Sequence, residues 1–224
     1  MSENLFSWPK QAAFGRVLPK TKIYEHVKPT QAVKELFVRQ VEQIVWQYKL
    51  APETIHLSAT KSVPEIQVFS IKQKTDTLSN EVLRCIDQAV QFPIIFELKY
   101  EDKISMKACY KRPNEADRNK WVRSEYFSSD WLNTDSDRVP LPMSLDLGSL
   151  YGHLLEALIP VDARQGESLS TFTARIERMH AKQREMDKLA GRLANEKQFN
   201  RKVEINAQLR GLRSELEELK AHEA

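Results

Sequence analysis

The chain has 224 residues, of which 29% are charged and 41% hydrophobic, and its formal net charge is +3 at pH 7. This length accommodates one medium-sized domain with an appendage, or two small domains. The small net charge argues against a polycation that coats nucleic acid along its whole length. The sequence has neither a long apolar run nor a signal-like N-terminus. We therefore expect a cytoplasmic protein without a membrane span.

The first 50 residues predict an irregular segment followed by a helix. Residues 1–29 contain three prolines and several aromatic residues, which is typical of an irregular segment packed onto a domain. From Thr30 to Pro52, apolar residues recur at spacings of three and four, which predicts one amphipathic helix of about five turns. These residues are Val33, Leu36, Phe37, Val41, Ile44, Val45 and Tyr48.

A β core is predicted between residues 65 and 110. Residues 65–71 are typical of a strand, and Ser79 is a plausible N-cap for a helix over 79–90. Residues 92–98 form a nearly continuous apolar run, as in a strand buried on both faces. A turn at 101–103 leads to an alternating strand over 104–110. The pattern predicts an α+β fold with a small mixed or antiparallel sheet packed by helices.

The segment from 111 to 160 completes the predicted domain. Periodicity fades over 111–138, where basic and aromatic residues mix, and Pro140 and Pro142 mark a linker. Asp146 can cap a leucine-rich helix that ends before Pro160. Because its leucines need a surface to pack against, we assign this helix to a globular domain over 1–160.

Residues 161–224 are predicted to form a charged helical coiled-coil arm. Residues 164–213 contain 12 basic and 6 acidic side chains. A sparse apolar seam runs through the arm, but its two halves differ in heptad frame, and the change falls within 195–201. Either the arm is one helix with a skip, or it is an antiparallel hairpin in which Asn200 serves as the second N-cap. The pattern favours the hairpin.

Several stretches together resemble a bacterial family described only as a domain of unknown function. The resemblance rests on residues 8–16, 43–54, 92–98, 108–113 and 196–206. Genes of this family often lie beside a helicase-like ATPase and a DNA methyltransferase in mobile or phage-defence clusters. The resemblance implies an accessory role in DNA-directed defence, and it assigns no catalytic residue.

The favoured hypothesis is a non-catalytic adaptor, without a cofactor, that acts through protein–protein contacts. Its partner would be the helicase-like ATPase or the DNA methyltransferase, and the arm could also form a homodimer. A helix with a narrow seam gains most of its stability from packing, so the seam residues are the partner-binding candidates. They are Ile176, Met179, Met186, Leu193, Leu209, Leu212, Leu216 and Leu219.

The first alternative is a Mg²⁺-dependent nuclease of the PD-(D/E)xK kind. Such enzymes hold the metal with carboxylates on adjacent strands and use a lysine to orient or activate water. The candidates are Glu65, Glu97 and Lys99. The predicted helix between the two strands and the glutamate in place of the commoner aspartate count against this hypothesis.

The second alternative is a nucleic-acid-binding module built from the mixed basic and aromatic segment. Cations would meet phosphates while an aromatic ring stacks on a base. The candidates are Lys111, Arg112, Lys120, Trp121 and Arg123. The competing interpretation is that these aromatic residues close the core and the charges remain in solvent.

Other chemistries have little support in the sequence. Cys85 and Cys109 are the two cysteines, and they form no CxxC or Cys/His cluster that indicates a disulfide framework or a metal site. Phosphate-binding glycine loops, a nucleophile elbow and an HExxH motif are not found in the sequence.

Overall fold

The computed structural model describes residues 5–114 and 121–221. It divides into two compact units, Met1–Pro160 and Val161–Ala224, which we call the α+β domain and the arm. The described elements of the α+β domain are, in chain order, β1 (Leu5–Ser7), a 3-10 turn (Lys10–Ala12), β2 (Ala13–Val17), α1 (Lys20–Val27), α2 (Gln31–Gln40), β3 (Val41–Leu50), α3 (Pro52–Ile55), β4 (Ile66–Gln73), α4 (Asn80–Ala89), β5 (Ile94–Tyr100), β6 (Lys103–Pro113), β7 (Trp121–Ser128), β8 (Leu132–Asn133), β9 (Arg138–Pro140) and α5 (Leu147–Glu156).

A mixed sheet forms the centre of the α+β domain. Its strands lie in the order β2-β3-β4-β5-β6-β7, and β8 pairs with β6 beyond the end of β7. Strands β4 and β5 are parallel and joined through α4, whereas the other neighbours in this sheet are antiparallel. Strands β1 and β9 form a separate parallel pair. The predicted α+β class with a mixed sheet is confirmed.

The main hydrophobic core lies between one face of the sheet and helices α1, α2 and α4. Two capped helices fix this layer: the Thr30 hydroxyl accepts from the Val33 amide, and the Ser79 hydroxyl accepts from the Glu81 amide. The buried members of the cluster are Ile23, Phe37, Val41, Ile44, Phe69, Ile71, Val82, Leu83, Cys85, Ile86, Ile94, Phe96 and Leu98.

Helix α5 packs against β6. The carboxylate of Asp146 accepts from the Ser149 amide at 2.7 Å, as predicted for its N-cap. The hydroxyl of the fully buried Tyr151 donates to the Cys109 carbonyl and accepts from the Lys111 amide. Because β6 bulges between these two residues, Tyr151 satisfies backbone groups that the β6–β7 ladder leaves unpaired.

The prediction of a single helix from Thr30 to Pro52 is wrong beyond Gln40. Helix α2 ends there, and Val41–Leu50 form β3, which pairs with β2 on one side and β4 on the other. The second half of the segment is rich in β-branched and aromatic residues, including Val45 and Trp46, which favour strands. Pairing with two neighbours overrides the helical spacing of its apolar residues.

The structure contains elements that the sequence patterns did not predict. Residues expected to form an irregular lead-in include β1, β2 and α1. Strand β7 lies where periodicity fades, and its pairing with β6 shifts register between Cys109 and Lys111. Strand β9 occupies part of the predicted linker.

The arm contains two helices, α6 (Leu169–Asn195) and α7 (Phe199–Lys220). They run antiparallel, because Arg175 contacts the end of α7, Lys182 pairs with Glu215, and Leu189 clusters with Ile205. The chain turns within the predicted interval 195–201. The N-cap of α7 is Gln198 and not the predicted Asn200.

The helices in the described part of the chain are each too short or too polar to cross a bilayer.

Candidate protein-binding surface

The apolar seam of the arm holds α6 and α7 together. Leu189, Ile205 and Leu209 are buried in one cluster, and partly buried residues pack around them, namely Met186, Leu193 and Leu212. Four of the predicted partner-binding residues therefore lie in the contact between the two helices. The other four are also withdrawn from solvent: Ile176, Met179 and Leu216 are buried and Leu219 is partly buried.

A buried arginine fastens the base of the arm. Arg175 is 2% exposed, and its guanidinium donates to both carboxylate oxygens of Glu167, at 2.9 and 2.7 Å. It also donates to the carbonyls of Asp162 and Leu219, each at 3.0 Å. The hydrogen bonds between Arg175 and the Glu167 carboxylate lower the pKa of Glu167 below its usual value. Arg175 thus ties the last turn of α7 to the segment that leads into α6.

Two exposed apolar side chains lie at the start of α7, next to the turn between the helices. Phe199 is 77% exposed and Val203 is 49% exposed. Spacings of three and four residues extend this face through Asn206, Arg210 and Arg213, which are exposed as well. We call these five residues the tip stripe. It begins apolar at the turn and becomes basic along the helix.

Basic residues also lie in the first turns of α7. Arg201 and Lys202 follow Phe199 in the chain and are exposed, whereas the acidic residues of α7 concentrate in its last turns. An exposed apolar pair with cationic neighbours is complementary to an apolar pocket with an acidic rim. Phe199 and Val203 were not selected from the sequence because they lie outside the seam. The feature that could have identified them is that they are apolar residues outside the heptad frame.

The nuclease candidates do not converge in the α+β domain. The β4–β5 register places Ser70 beside Glu97 and Lys72 beside Lys99. Glu65 lies five positions before Ser70, which is roughly 16 Å along a strand at ~3.3 Å per residue. Glu97 and Lys99 share a face of β5, but Glu65 is at the other end of the β4–β5 pair.

The contacts of the two glutamates differ from those of metal ligands. Glu97 is 2% exposed, and its Oε1 accepts from the indole of Trp8 and from the guanidinium of Arg138, each at 2.8 Å. Glu65 accepts from the Gln67 amide and lies 3.6 Å from the ammonium of Lys49. Among the described residues, no three His, Cys, Asp or Glu side chains are grouped as a metal site would require.

The side chains of two nucleic-acid candidates donate hydrogen bonds to backbone carbonyls in and just after α4. The ammonium of Lys111 is buried and donates to the carbonyls of Asp87, Val90 and Phe92 at the end of that helix. The guanidinium of Arg123 donates to the Arg84 carbonyl at 3.0 Å. Cations suit the carbonyl end of a helix dipole, so Lys111 stabilises the end of α4, and Arg123 ties β7 to the middle of the same helix.

Trp121 and Arg112 do not extend that pair into one exposed surface. The ring of Trp121 lies over the Lys111 ammonium, 5.6 Å from ring centroid to nitrogen. In the β6–β7 register Arg112 alternates with Lys111 and points to the opposite face of the sheet. Lys120 lies outside the described residues.

Comparison with known proteins assigns the chain to a family. A family model described as "Domain of unknown function (DUF4391)" matches residues 6–216. The chain belongs to the DUF4391 family. The predicted membership in a family of unknown function is confirmed, and the match includes residues of both the α+β domain and the arm. No curated protein and no solved structure matches the chain significantly.

The DUF4391 chain also contains a buried polar cluster around Asp87. Its carboxylate accepts from the Tyr126 hydroxyl and from the Cys109 thiol, and lies 3.8 Å from the Lys111 ammonium. Burial raises the pKa of Asp87, which Lys111 opposes, and burial lowers the pKa of Lys111. The pKa of Cys109 is raised well above its usual value, first by burial and then by Asp87. Cys109 therefore stays a thiol and is a poor nucleophile.

A cleft of about 650 Å³ opens beside β2 and α1 of the DUF4391 chain. Its walls are mainly apolar, Arg16 and Lys22 supply cationic groups, and His26 supplies an imidazole. The described lining residues include neither a carboxylate nor a thiol, so this cleft does not offer the paired groups of a hydrolytic site.

Proposed function

We propose that this DUF4391 protein is a non-catalytic adaptor that docks on a partner protein through the tip stripe of its arm. The observation that carries the proposal is the exposure of Phe199 and Val203 on a hairpin whose own seam is closed. Exposed apolar side chains that the fold does not need are typical of protein-binding sites. An aromatic residue in such a patch is a common anchor of binding energy.

The proposed partner is a helicase-like ATPase or a DNA methyltransferase of a DNA-directed anti-phage or restriction-like system. This part rests on the family resemblance, since such genes often lie beside members of the family. The basic residues of the tip stripe, Arg210 and Arg213, favour an acidic surface on that partner. We place the complex in the cytoplasm, where both partners would act on foreign DNA.

One observation favours nucleic-acid binding as a second candidate function. The arm has twice as many basic as acidic residues over 164–213, which can form a phosphate-binding surface. The candidates in β6 and β7 support it less, because Lys111 and Arg123 already bind backbone carbonyls. The nuclease alternative has the least support, since Glu65 lies far from Glu97 and Lys99 along the strands.

The test is an affinity pull-down of the tagged full-length chain from its native host, with partners identified by mass spectrometry. The tip variant Phe199→Asp/Val203→Asp is compared with a control, Ala207→Asp/Ser214→Asp. Both variants add two carboxylates to exposed positions of α7, but the control positions lie outside the tip stripe. We expect the wild type and the control to recover the ATPase or the methyltransferase, and the tip variant to lose it.

Recovery of the same partner by the tip variant, or absence of both enzymes from the wild-type sample, would contradict the proposal.

Two further measurements separate the other candidates. Light scattering that shows a wild-type dimer and a monomeric tip variant would assign the stripe to a second copy of the chain. Salt-sensitive binding of labelled duplex DNA that both variants weaken equally would indicate a nucleic-acid role of the arm.

A further inference from the structure

A polar cavity of about 310 Å³ lies where the parallel strands β4 and β5 end. The loop from β4 to α4 forms one wall through Asp76, Thr77 and Leu78, and β6 and β7 form the other. In sheets with parallel strands, ligands bind outside the carboxyl ends of the strands, beside the loop into the crossover helix. The volume is at the lower end of the range for small-molecule sites.

Gln73 lines this cavity with an unsatisfied side chain. The residue is 4% exposed, and neither its amide oxygen nor its amide nitrogen has a hydrogen-bond partner among the described residues. Burying a primary amide without a partner destabilises a fold, so native structures rarely keep one without a reason. The amide presents one donor and one acceptor in a plane, which matches the edge of an adenine ring.

The rest of the lining fits a planar ligand without a large negative charge. Trp131 is 40% exposed at the cavity, and Leu78 and Leu98 supply further apolar surface for a ring. Asp76 and Asp130 outnumber the single cation, Lys107, whose pKa is lowered by burial. Two carboxylates repel a polyphosphate, but they are good acceptors for the hydroxyl groups of a ribose.

We propose that this cavity binds a neutral purine nucleoside, with the Gln73 amide paired to the base edge and Trp131 stacked on the ring. The carboxylates of Asp76 and Asp130 accept hydrogen bonds from the ribose. This site lies in the α+β domain and does not depend on the tip stripe or on the proposed protein partner.

The test is calorimetric titration of the full-length chain with adenosine and, separately, with ATP. We expect adenosine to bind and ATP to bind more weakly, because its phosphates meet the two carboxylates. Gln73→Met keeps the side-chain volume but removes both polar atoms, and it should weaken adenosine binding at least about tenfold. Trp131→Ala changes an exposed side chain and should weaken binding about tenfold or more.

Gln91→Met is the matched control, because Gln91 is exposed and lies in the other cleft. It should leave adenosine binding unchanged. Gln73→Met should also unfold at the same temperature as the wild type or higher, since it removes an unpaired buried amide. The proposal is overturned if wild-type protein does not bind adenosine at millimolar concentration, if ATP binds as tightly as adenosine, or if Gln73→Met and Trp131→Ala leave affinity unchanged.

Discussion

The α+β domain and the arm are stabilised in different ways. The domain has a broad core between a mixed sheet and three helices, and it buries polar groups such as Asp87 and Lys111 inside hydrogen-bonded clusters. The arm has a single narrow seam between two helices, and Arg175 closes its base. The domain depends on contacts between residues far apart in sequence, whereas the arm pairs two consecutive helices.

This difference explains where each region can carry function. A two-helix arm leaves much of its surface in solvent, so exposed residues such as Phe199 can change without loss of the fold. In the sheet domain, such changes are tolerated only at its edges and cavities. Gln73 lines one of these cavities, and its buried amide has no hydrogen-bond partner among the described residues. We infer a ligand for that reason.

The largest expected effect is on the core of the α+β domain. Phe96 is fully buried between Phe69 and Tyr126, and Phe96→Ala should lower the free energy of unfolding by about 3–5 kcal/mol. Leu209→Ala should lower the free energy of unfolding by about 2 kcal/mol, because Leu209 lies in a narrow seam between two helices. The measurement is urea unfolding followed by tryptophan fluorescence and by far-UV circular dichroism.

The two probes separate the regions because all four tryptophans lie before residue 160. Fluorescence should report the loss from Phe96→Ala in full and respond little to Leu209→Ala. Equal responses of both probes to both variants would show that the regions unfold as one cooperative unit.

The second prediction concerns the base of the arm. Arg175→Met removes the guanidinium that donates to both oxygens of the buried Glu167 carboxylate, and it should destabilise the arm by about 3 kcal/mol. Hydrogen exchange of the last turn of α7 should accelerate, because the Leu219 carbonyl loses the shorter of its two arginine hydrogen bonds. Arg178→Met, an exposed neighbour on α6, is the control and should change stability by less than about 0.5 kcal/mol. Equal effects of the two variants would contradict the role of Arg175.

The third prediction is that the two regions respond to opposite ends of the pH scale. Burial raises the pKa of Tyr126 and Tyr151 in the folded domain, whereas the unfolded chain releases these protons near pH 10. The unfolded state then binds fewer protons, so stability falls with rising pH by about 1.4 kcal/mol per pH unit for each tyrosine, and the raised pKa of Cys109 adds to this slope. Tyr126→Phe should reduce the slope by about 1.4 kcal/mol per pH unit in alkaline urea titrations, and an unchanged slope would contradict the prediction.

In the arm the sign is reversed. Because Arg175 lowers the pKa of Glu167, this pair contributes stability above the unfolded glutamate pKa of about 4.3 and loses it as pH falls. Helix content measured by circular dichroism should therefore decrease in acid, and less so in Arg175→Met than in the wild type. An identical acid profile in both proteins would exclude the pair as the cause.

The smallest expected effect on stability is that of the tip variant. Phe199→Asp/Val203→Asp changes exposed side chains and should alter the unfolding free energy by no more than about 0.5 kcal/mol. Thermal unfolding beside Ala207→Asp/Ser214→Asp checks this. A large loss would mean that the apolar pair serves the fold of the arm, and the docking hypothesis would lose its main support.

Much of the candidate site depended on a distinction that the sequence could not make. The heptad pattern marked the seam correctly, but a seam residue serves equally well between two helices of one chain or against a partner. The structure places Leu209 in the first role and leaves Phe199 exposed. Likewise, Lys111 and Arg123 belong to a segment whose basic and aromatic composition is typical of phosphate binding. In the fold, their side chains bind backbone carbonyls of α4.

The sequence by itself determined the features that depend on local interactions. The N-caps of Ser79 and Asp146, the strands around Val68 and Phe96 and the interval of the hairpin turn all follow from side chains near each other in the chain. Only the tertiary structure decided that Val41–Leu50 is a strand, because pairing with β2 and β4 outweighs helical spacing. Tertiary structure alone also decided the surroundings of Gln73 and Asp87, since burial depends on residues distant in sequence.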